Sequence, residues 1–175
     1  MNEIPAIIPP SPWVARHAGR IAPGGKVLDL ACGSGRHARY LAGLGYAVVA
    51  VDRDAAAIAG LQGMPGITPE QLDLEGEAWP LAGRSFAGIV VTNYLWRHRL
   101  PDVLALLAPG GVLIYETFMV GNEAYGKPSS PAFLLQPGEL RQIAAAAGLQ
   151  EIDFVEGYVA EPKPAMRQAI CALRA

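Results

Sequence analysis

Cysteine is scarce in this chain: Cys32 and Cys171 are the only two in 175 residues. Two thiols cannot supply a four-cysteine zinc site or a disulfide framework, so no metal centre and no covalent staple is expected. Cys32 reads as a small filler in a turn and Cys171 as a core residue of a late strand. Charge is sparse as well, at 17% of residues, with 14 Lys and Arg against 16 Asp and Glu and a formal net charge of −2. No block of like charges occurs, so nothing is built to neutralise a phosphate backbone, and nucleic acid is not an expected partner. Long apolar runs are missing too. Hydrophobic residues make up 51% of the chain, yet Gly, Pro or charged residues break every run short of the about 20 needed to cross a bilayer, so no membrane partner is expected. Residues 1–10 lack the basic start and small-residue cleavage pattern of a secretory leader, which leads to the expectation of a cytoplasmic protein.

What the chain has in quantity is glycine (20) and proline (15), and both punctuate apolar segments. The stretch that organises the rest is residues 27–41, V-L-D-L-A-C-G-S-G-R-H-A-R-Y-L. It reads as a buried strand (27–30), a turn of small residues (31–35) and a helix opening near Arg36. That order sets backbone N–H groups and a positive helix end beside a ligand, which makes a cofactor site. Two templates fit the turn. Residues 33–38 satisfy G-x-G-x-x-G/A, and Asp52 follows Gly33 by 19 residues, near the spacing of about 20 seen where an acid holds a ribose in nicotinamide enzymes. Asp29 weighs the other way. A carboxylate at the end of that strand, pointing into the crevice, would repel a diphosphate and suits a ligand carrying an ammonium and a sulfonium, such as S-adenosylmethionine.

In chain order, residues 1–10 read as an irregular arm. Ser11-Pro12 caps a helix towards Gly19, with Trp13 and His17 on one face that either packs on the sheet or lids the ligand. A helix spans 36–44 and a second strand 47–51, with Asp52 at its carboxyl end, where ligands of open parallel sheets bind and where a carboxylate can accept from a ribose diol. Asp52 or, equally well, Asp54 could cap a helix at 55–61. A third strand is expected at 71–74, with Asp73 able to accept an adenine amine and Leu74 to flank the ring. A fourth runs 86–92 and delivers Asn93 and Tyr94 to the crevice. A short helix at 102–107 and a fifth strand at 112–115 follow, then a Gly/Pro/Ser-rich excursion at 118–137, of a length that is usually functional or mobile. A helix at 139–147 and two strands at 152–159 and 168–173 close the chain, the last two joined tightly enough to be antiparallel. The expected fold is a single α/β domain, a Rossmann-like, doubly wound sheet of seven strands, mostly parallel with an antiparallel C-terminal hairpin.

This order of parts resembles the class I S-adenosylmethionine-dependent methyltransferases, from about Trp13 to Leu173. The family's first motif, an acid followed by a glycine triplet, appears as Asp29-Leu30-Ala31-Cys32-Gly33-Ser34-Gly35, with alanine for the first glycine, a change expected to cost little. The resemblance implies that Asp29, Gly33 and Gly35 approach the methionine part of the cofactor, that Asp52 takes the ribose hydroxyls, that Asp73 and Leu74 flank adenine and that Asn93 lies near the methyl. Ala31 in the same turn and Arg53 beside Asp52 complete the expected cofactor set. The terminal hairpin is a family feature that separates this fold from nicotinamide-binding ones. The segment Phe133-Leu134-Leu135-Gln136-Pro137-Gly138-Glu139-Leu140-Arg141 is similar to small bacterial tellurite-resistance-type methyltransferases.

Methyl transfer from a sulfonium is an in-line displacement that alignment and desolvation can largely drive, with up to about 7–11 kcal/mol available from proximity. Thr92-Asn93-Tyr94-Leu95-Trp96-Arg97 is not the Asn-Pro-Pro-Tyr of amino-group DNA methyltransferases, and no Pro-Cys nucleophile is present, so a small-molecule acceptor is expected. Its site would be walled by Tyr94, Trp96, Arg97, His98, Glu116 and the excursion with Tyr125 and Lys127, residues 117–138 serving as a substrate cap. Glu116, His98 and Tyr94 are the catalytic candidates, His98 by its pKa range. Arg97 or Lys127 could hold an anionic substrate. Arg167 and Glu161 reach the same rim or form a surface ion pair. Two other readings stay open: an NAD(P)-dependent oxidoreductase, and a non-catalytic S-adenosylmethionine-binding module acting through a protein partner.

Overall fold

The computed structural model describes residues 7–175; of the expected N-terminal arm, residues 1–6 lie outside the described residues. Strands β1 (Lys26–Leu30), β2 (Ala47–Asp52), β3 (Ile67–Gln71), β4 (Phe86–Thr92), β5 (Leu107–Phe118), β6 (Gln150–Val159) and β7 (Ala165–Leu173) alternate with helices α1 (Pro12–His17), α2 (Arg36–Gly43), α3 (Ala55–Ala59), α4 (Leu100–Leu104) and α5 (Glu139–Ala146). They form one seven-stranded sheet in the order β3-β2-β1-β4-β5-β7-β6. The first five strands are mutually parallel, and β7 lies antiparallel between β5 and β6. The expected mixed sheet with its C-terminal hairpin is therefore present.

Strand parity explains the continuous apolar runs. Leu28, Leu30, Val49, Val51, Ile89, Val91 and Leu113 project to one face, where Leu100, Val103 and Leu104 of α4 and Leu140 and Ala144 of α5 cover them. Val27, Val48, Ala50, Val90, Val112 and Ile114 project to the other, under Trp13 and Val14 of α1 and Ala38 and Leu41 of α2. With both faces covered, the central strands β2 and β4 are apolar at nearly every position, and each fully buried Leu, Ile or Val contributes roughly 1.5–3 kcal/mol of transfer free energy. The face of α1 carrying Trp13 and His17 packs on the sheet and forms no lid: Trp13 is buried and its indole donates to the Ile170 carbonyl at 3.2 Å.

Three elements differ most from expectation. β3 occupies Ile67–Gln71, because Ile67 and Thr68 pair with Val48 and Val49, which leaves residues 72–74 as the loop at its carboxyl end. Pro69 is tolerated there because β3 is an edge strand. α4 begins at Leu100, with proline in its first turn. β5 is longer than expected at both ends: Gly110 donates to the Arg174 carbonyl and Arg174 donates back to Gly111, so the Pro109-Gly110-Gly111 turn is paired to the C-terminus.

Candidate functional site

The turn after β1 is assembled almost entirely from backbone. Cys32 N donates to the Val51 carbonyl and Gly35 N to the Cys32 carbonyl, each at 2.9 Å. Asp52, at the end of β2, completes it: one carboxylate oxygen accepts from Gly33 N at 2.8 Å and the other from Asp54 N at 2.9 Å. The ends of two adjacent strands are thereby locked together. Gly33 and Gly35 both have positive φ. A Cβ on Gly35 would come within 2.5 Å of Leu61, whereas one on Gly33 would meet no protein atom within 4 Å, so the Gly33 edge is bare and open to a ligand. Ala31 has φ +54. Alanine in place of the family's glycine is therefore not free of cost, because the left-handed conformation crowds its Cβ by about 1–2 kcal/mol.

Along the carboxyl ends of the strands lies a cavity of about 450 Å³. Ala31, Asp52, Arg53, Leu72, Asp73, Leu74 and Glu75 line the part above β2 and β3, and Asn93, Tyr94, Leu95, Thr117, Phe118, Pro128 and Phe133 the part beyond β4 and β5. Three carboxylates stand in the first part against one cation, Arg53, which faces Glu75 at 3.8 Å. Glu75 also accepts from the Tyr94 hydroxyl at 3.3 Å, and Asp73 accepts from Glu75 N at 3.0 Å. Burial raises the Tyr94 pKa, with Glu75 adding to the shift, so the hydroxyl stays protonated.

Several candidates lie elsewhere. Asp29 does not point into the crevice. It shares strand parity with Val27 and is 1% exposed between Ala50 and Val90, against the first turn of α2. Burial pushes its pKa up to about 7, opposed by a hydrogen bond from the Ala38 backbone and by Arg36, and one of its oxygens has no partner. His98 is exposed, lies tilted against the Trp96 ring and lines no part of the cavity. Glu116 is 8% exposed and lies outside the lining, paired with Arg167 at 3.7 Å. Arg167 is no surface residue either: it donates to Asn93 Oδ1 at 2.6 Å, sits over the Phe118 ring and has its pKa lowered by burial. Asn93 adopts φ +56 and takes N–H to carbonyl pairing with Glu116 at 3.0 Å. Arg97 is engaged by Glu139, and Lys127, Tyr125 and Glu161 are exposed. Neither cysteine is a poised thiol, since burial pushes Cys32 up to about 12 and Cys171 up to about 11.

Residues that the sequence did not single out also shape the site. His37 is buried and accepts from Ser11 N at 3.0 Å through Nε2, and its Nδ1 lies 3.3 Å from Thr92 Oγ1. Burial pushes its pKa down to about 4, so a neutral ring links α1, α2 and the end of β4. The excursion after β5 is tied down. Val120 N donates to Leu135 O, Leu135 N to Phe118 O, and Asn122 binds both Pro128 O and Met166 N. Its phenylalanines, at the two ends of a Gly/Pro/Ser-rich run, were the legible signal for a wall.

Residues 14–87 match the family described as tellurite resistance protein TehB. Over 93% of its length the chain superposes on TehB from Haemophilus influenzae, with a TM-score of 0.75, 23% sequence identity and 61% of that chain covered. The chain has the class I S-adenosylmethionine-dependent methyltransferase fold, of TehB-like form. The same fold is shared with the 1,6-didemethyltoxoflavin-N1-methyltransferase of Burkholderia thailandensis, solved with 1,6-didemethyltoxoflavin and S-adenosylhomocysteine bound (TM-score 0.70, 20% identity, 94% of this chain and 77% of that one). Among curated proteins, the chain is 28% identical over 162 residues to a tRNA U34 carboxymethyltransferase of Methylococcus capsulatus, across 81% of this chain and 50% of the relative. It is 33% identical over 132 residues to hemagglutinin 1 of Eikenella corrodens, across 69% of this chain and 43% of the relative. The chain thus spans about half the length of the curated relatives it matches. Among the described residues, no helix of this methyltransferase fold is long and apolar enough to cross a membrane.

Ala31→Gly relieves the left-handed strain and should stabilise the protein by about 0.5–1 kcal/mol in urea titrations; a loss of stability would contradict the strain argument. Because the folded-state pKa of Asp29 is raised to about 7 from 3.8, its contribution to stability is complete below about pH 4 and is lost as the pH rises through about 7. The ligand-free protein should lose stability over that interval, and Asp29→Asn, which stays neutral, should remove most of the slope when denaturation is repeated at a series of pH values.

Proposed function

We propose that the protein transfers the methyl group of S-adenosylmethionine to a small-molecule acceptor. The observation that carries this reading is the single cavity joining Asp52, at the end of β2, to Asn93 and Tyr94, at the end of β4, on a sheet of methyltransferase topology. Its first part suits a cationic, ribose-bearing ligand. Asp52 retains lone pairs for a ribose diol beyond the two amides it already binds, Asp73 and Leu74 offer an acceptor and an apolar edge to adenine, and the bare edge of Gly33 leaves room for the methionine part. Asp52, Asp73 and Glu75 make the same space unfavourable for the pyrophosphate of a nicotinamide cofactor. Buried Asp29 packs behind the turn, bonded to the Ala38 backbone of α2.

When bound, the sulfonium supplies an electrophilic methyl whose carbon–sulfur bond breaks as the bond to the acceptor forms, leaving neutral S-adenosylhomocysteine and releasing the acceptor's proton. The protein's own residues bind, orient and exclude water. Asn93 is held in its left-handed conformation by Glu116 and Arg167, Tyr94 is fixed by Glu75, and residues 117–138 form a cap whose Phe118, Pro128 and Phe133 shield the acceptor end. With protonated Tyr94 donating to Glu75, Glu116 paired to Arg167 and His98 outside, alignment and desolvation carry the reaction.

Calorimetry tests the cofactor half directly. S-adenosylhomocysteine should bind the wild type, and Asp52→Ala should weaken it about 100-fold, equivalent to roughly 2–3 kcal/mol for lost hydrogen bonds to a charged group. Absence of binding to the wild type would sink the proposal. Release of S-adenosylhomocysteine, followed over a panel of small acceptors with bulk tRNA added in a parallel arm, separates the acceptor classes. The tRNA-acting relative makes that arm informative, and methylation confined to it would overturn the small-molecule reading. Binding without turnover on any acceptor would favour the partner-module reading.

A further inference from the structure

The acceptor end of the cavity is walled by Tyr94, Phe118, Pro128 and Phe133, with Leu95 behind. Phe133 is 46% exposed, yet the backbone on both sides of it is gripped by one side chain. Arg97 donates through Nη1 to the Ala132 carbonyl at 2.9 Å and through Nη2 to the Leu134 carbonyl at 2.7 Å. The same guanidinium makes a bidentate pair with Glu139 at 2.6 and 2.9 Å, and Glu139 in turn accepts from Gln136 N at 2.7 Å. Four of the five N–H groups of Arg97 are thereby engaged in presenting one aromatic ring. An exposed phenylalanine costs hydration free energy in the empty site, and a backbone clamped around it leaves the ring little else to cover than the cavity it lines.

The electrostatics of this end point the same way. Arg167, on the opposite flank, is engaged by Asn93 and Glu116. Arg97 and Arg167 thus each face a carboxylate, and the adjoining part of the cavity adds Asp73 and Glu75. Neither guanidinium is left free to replace the hydration of an entering anion, and Lys127, beside Pro128, is exposed.

Resting on the methyl-transfer reading, we infer that the acceptor subsite takes a flat, uncharged, apolar molecule seated against Phe133, and that Arg97 is the positioning residue for that ring. A planar acceptor gains from stacking and loses little conformational freedom there, and its nucleophilic N, O or S atom is then turned towards Asn93.

The test uses protein saturated with S-adenosylhomocysteine and two probes of equal shape, 2-naphthol and 2-naphthoate, with inorganic selenite as a compact anion, titrated by calorimetry. Naphthol should bind at least about tenfold tighter than naphthoate, and selenite should not displace it. Phe133→Ala should weaken naphthol about tenfold and Phe133→Leu less, both without change in S-adenosylhomocysteine affinity. Arg97→Lys, which cannot bridge two carbonyls and a carboxylate at once, should shift naphthol in the same direction and spare the cofactor. Should that variant fail to fold, the Phe133 pair decides alone. Equal or tighter binding of naphthoate or selenite, or indifference to Phe133→Ala, overturns the subsite while leaving methyl transfer standing. Failure of S-adenosylhomocysteine to bind removes both.

Discussion

The bond from Gly33 N to the Asp52 carboxylate, 2.8 Å long, is the contact on which the rest of the site depends. It joins the loop after β1 to the end of β2, and the second oxygen of the same carboxylate, through Asp54 N, starts α3. Because the acceptor is charged, these bonds are stronger than ordinary amide pairs. They also hold Gly33 in the left-handed conformation that keeps its bare edge towards the cavity. A carboxylate read as a ligand residue is thus a structural one as well: the side chain that would receive a ribose shapes the turn that would receive the rest of the cofactor.

Charge pairing divides the cavity into two chemically different halves. Above β2 and β3, carboxylates outnumber cations and the space favours positive charge. Beyond β4 and β5, Arg97 and Arg167 are each matched by a glutamate and turned to architecture, one gripping the excursion and the other steadying Asn93. The walls left facing the space are aromatic and apolar. An in-line displacement from a cation to a neutral nucleophile suits such a pairing of halves, since positive charge is dispersed in the transition state and no new ion has to be desolvated.

Much of the architecture was legible because it follows from local rules. The G-S-G turn, the Ser11-Pro12 cap and the alternation of apolar strands with short helices place six of the seven strands within a few residues of where they lie. β3 was misplaced because it is a half-exposed edge strand with proline inside it, so its residues lack the apolar signature and only pairing with Val48 and Val49 defines them. Asp52, Asp73, Leu74, Asn93 and Tyr94 sit on one cavity because all follow the carboxyl ends of parallel strands. Asp29 was misjudged for a physical reason: a strand's period of two sends residue 29 to the face opposite Leu28 and Leu30, beneath α2, and nothing in the local sequence says which face the ligand occupies.

By itself, then, the sequence determined the order of elements, the glycine turn and the acid at the end of β2, since backbone conformation, strand periodicity and spacing are properties of neighbouring residues. Tertiary structure alone decided which charges are free. Arg97 meets Glu139 across 42 residues and Arg167 meets Asn93 across 74, and Coulomb energy depends on separation in space. A side chain that reads as an anion holder in sequence becomes, once folded, the clasp that presents Phe133.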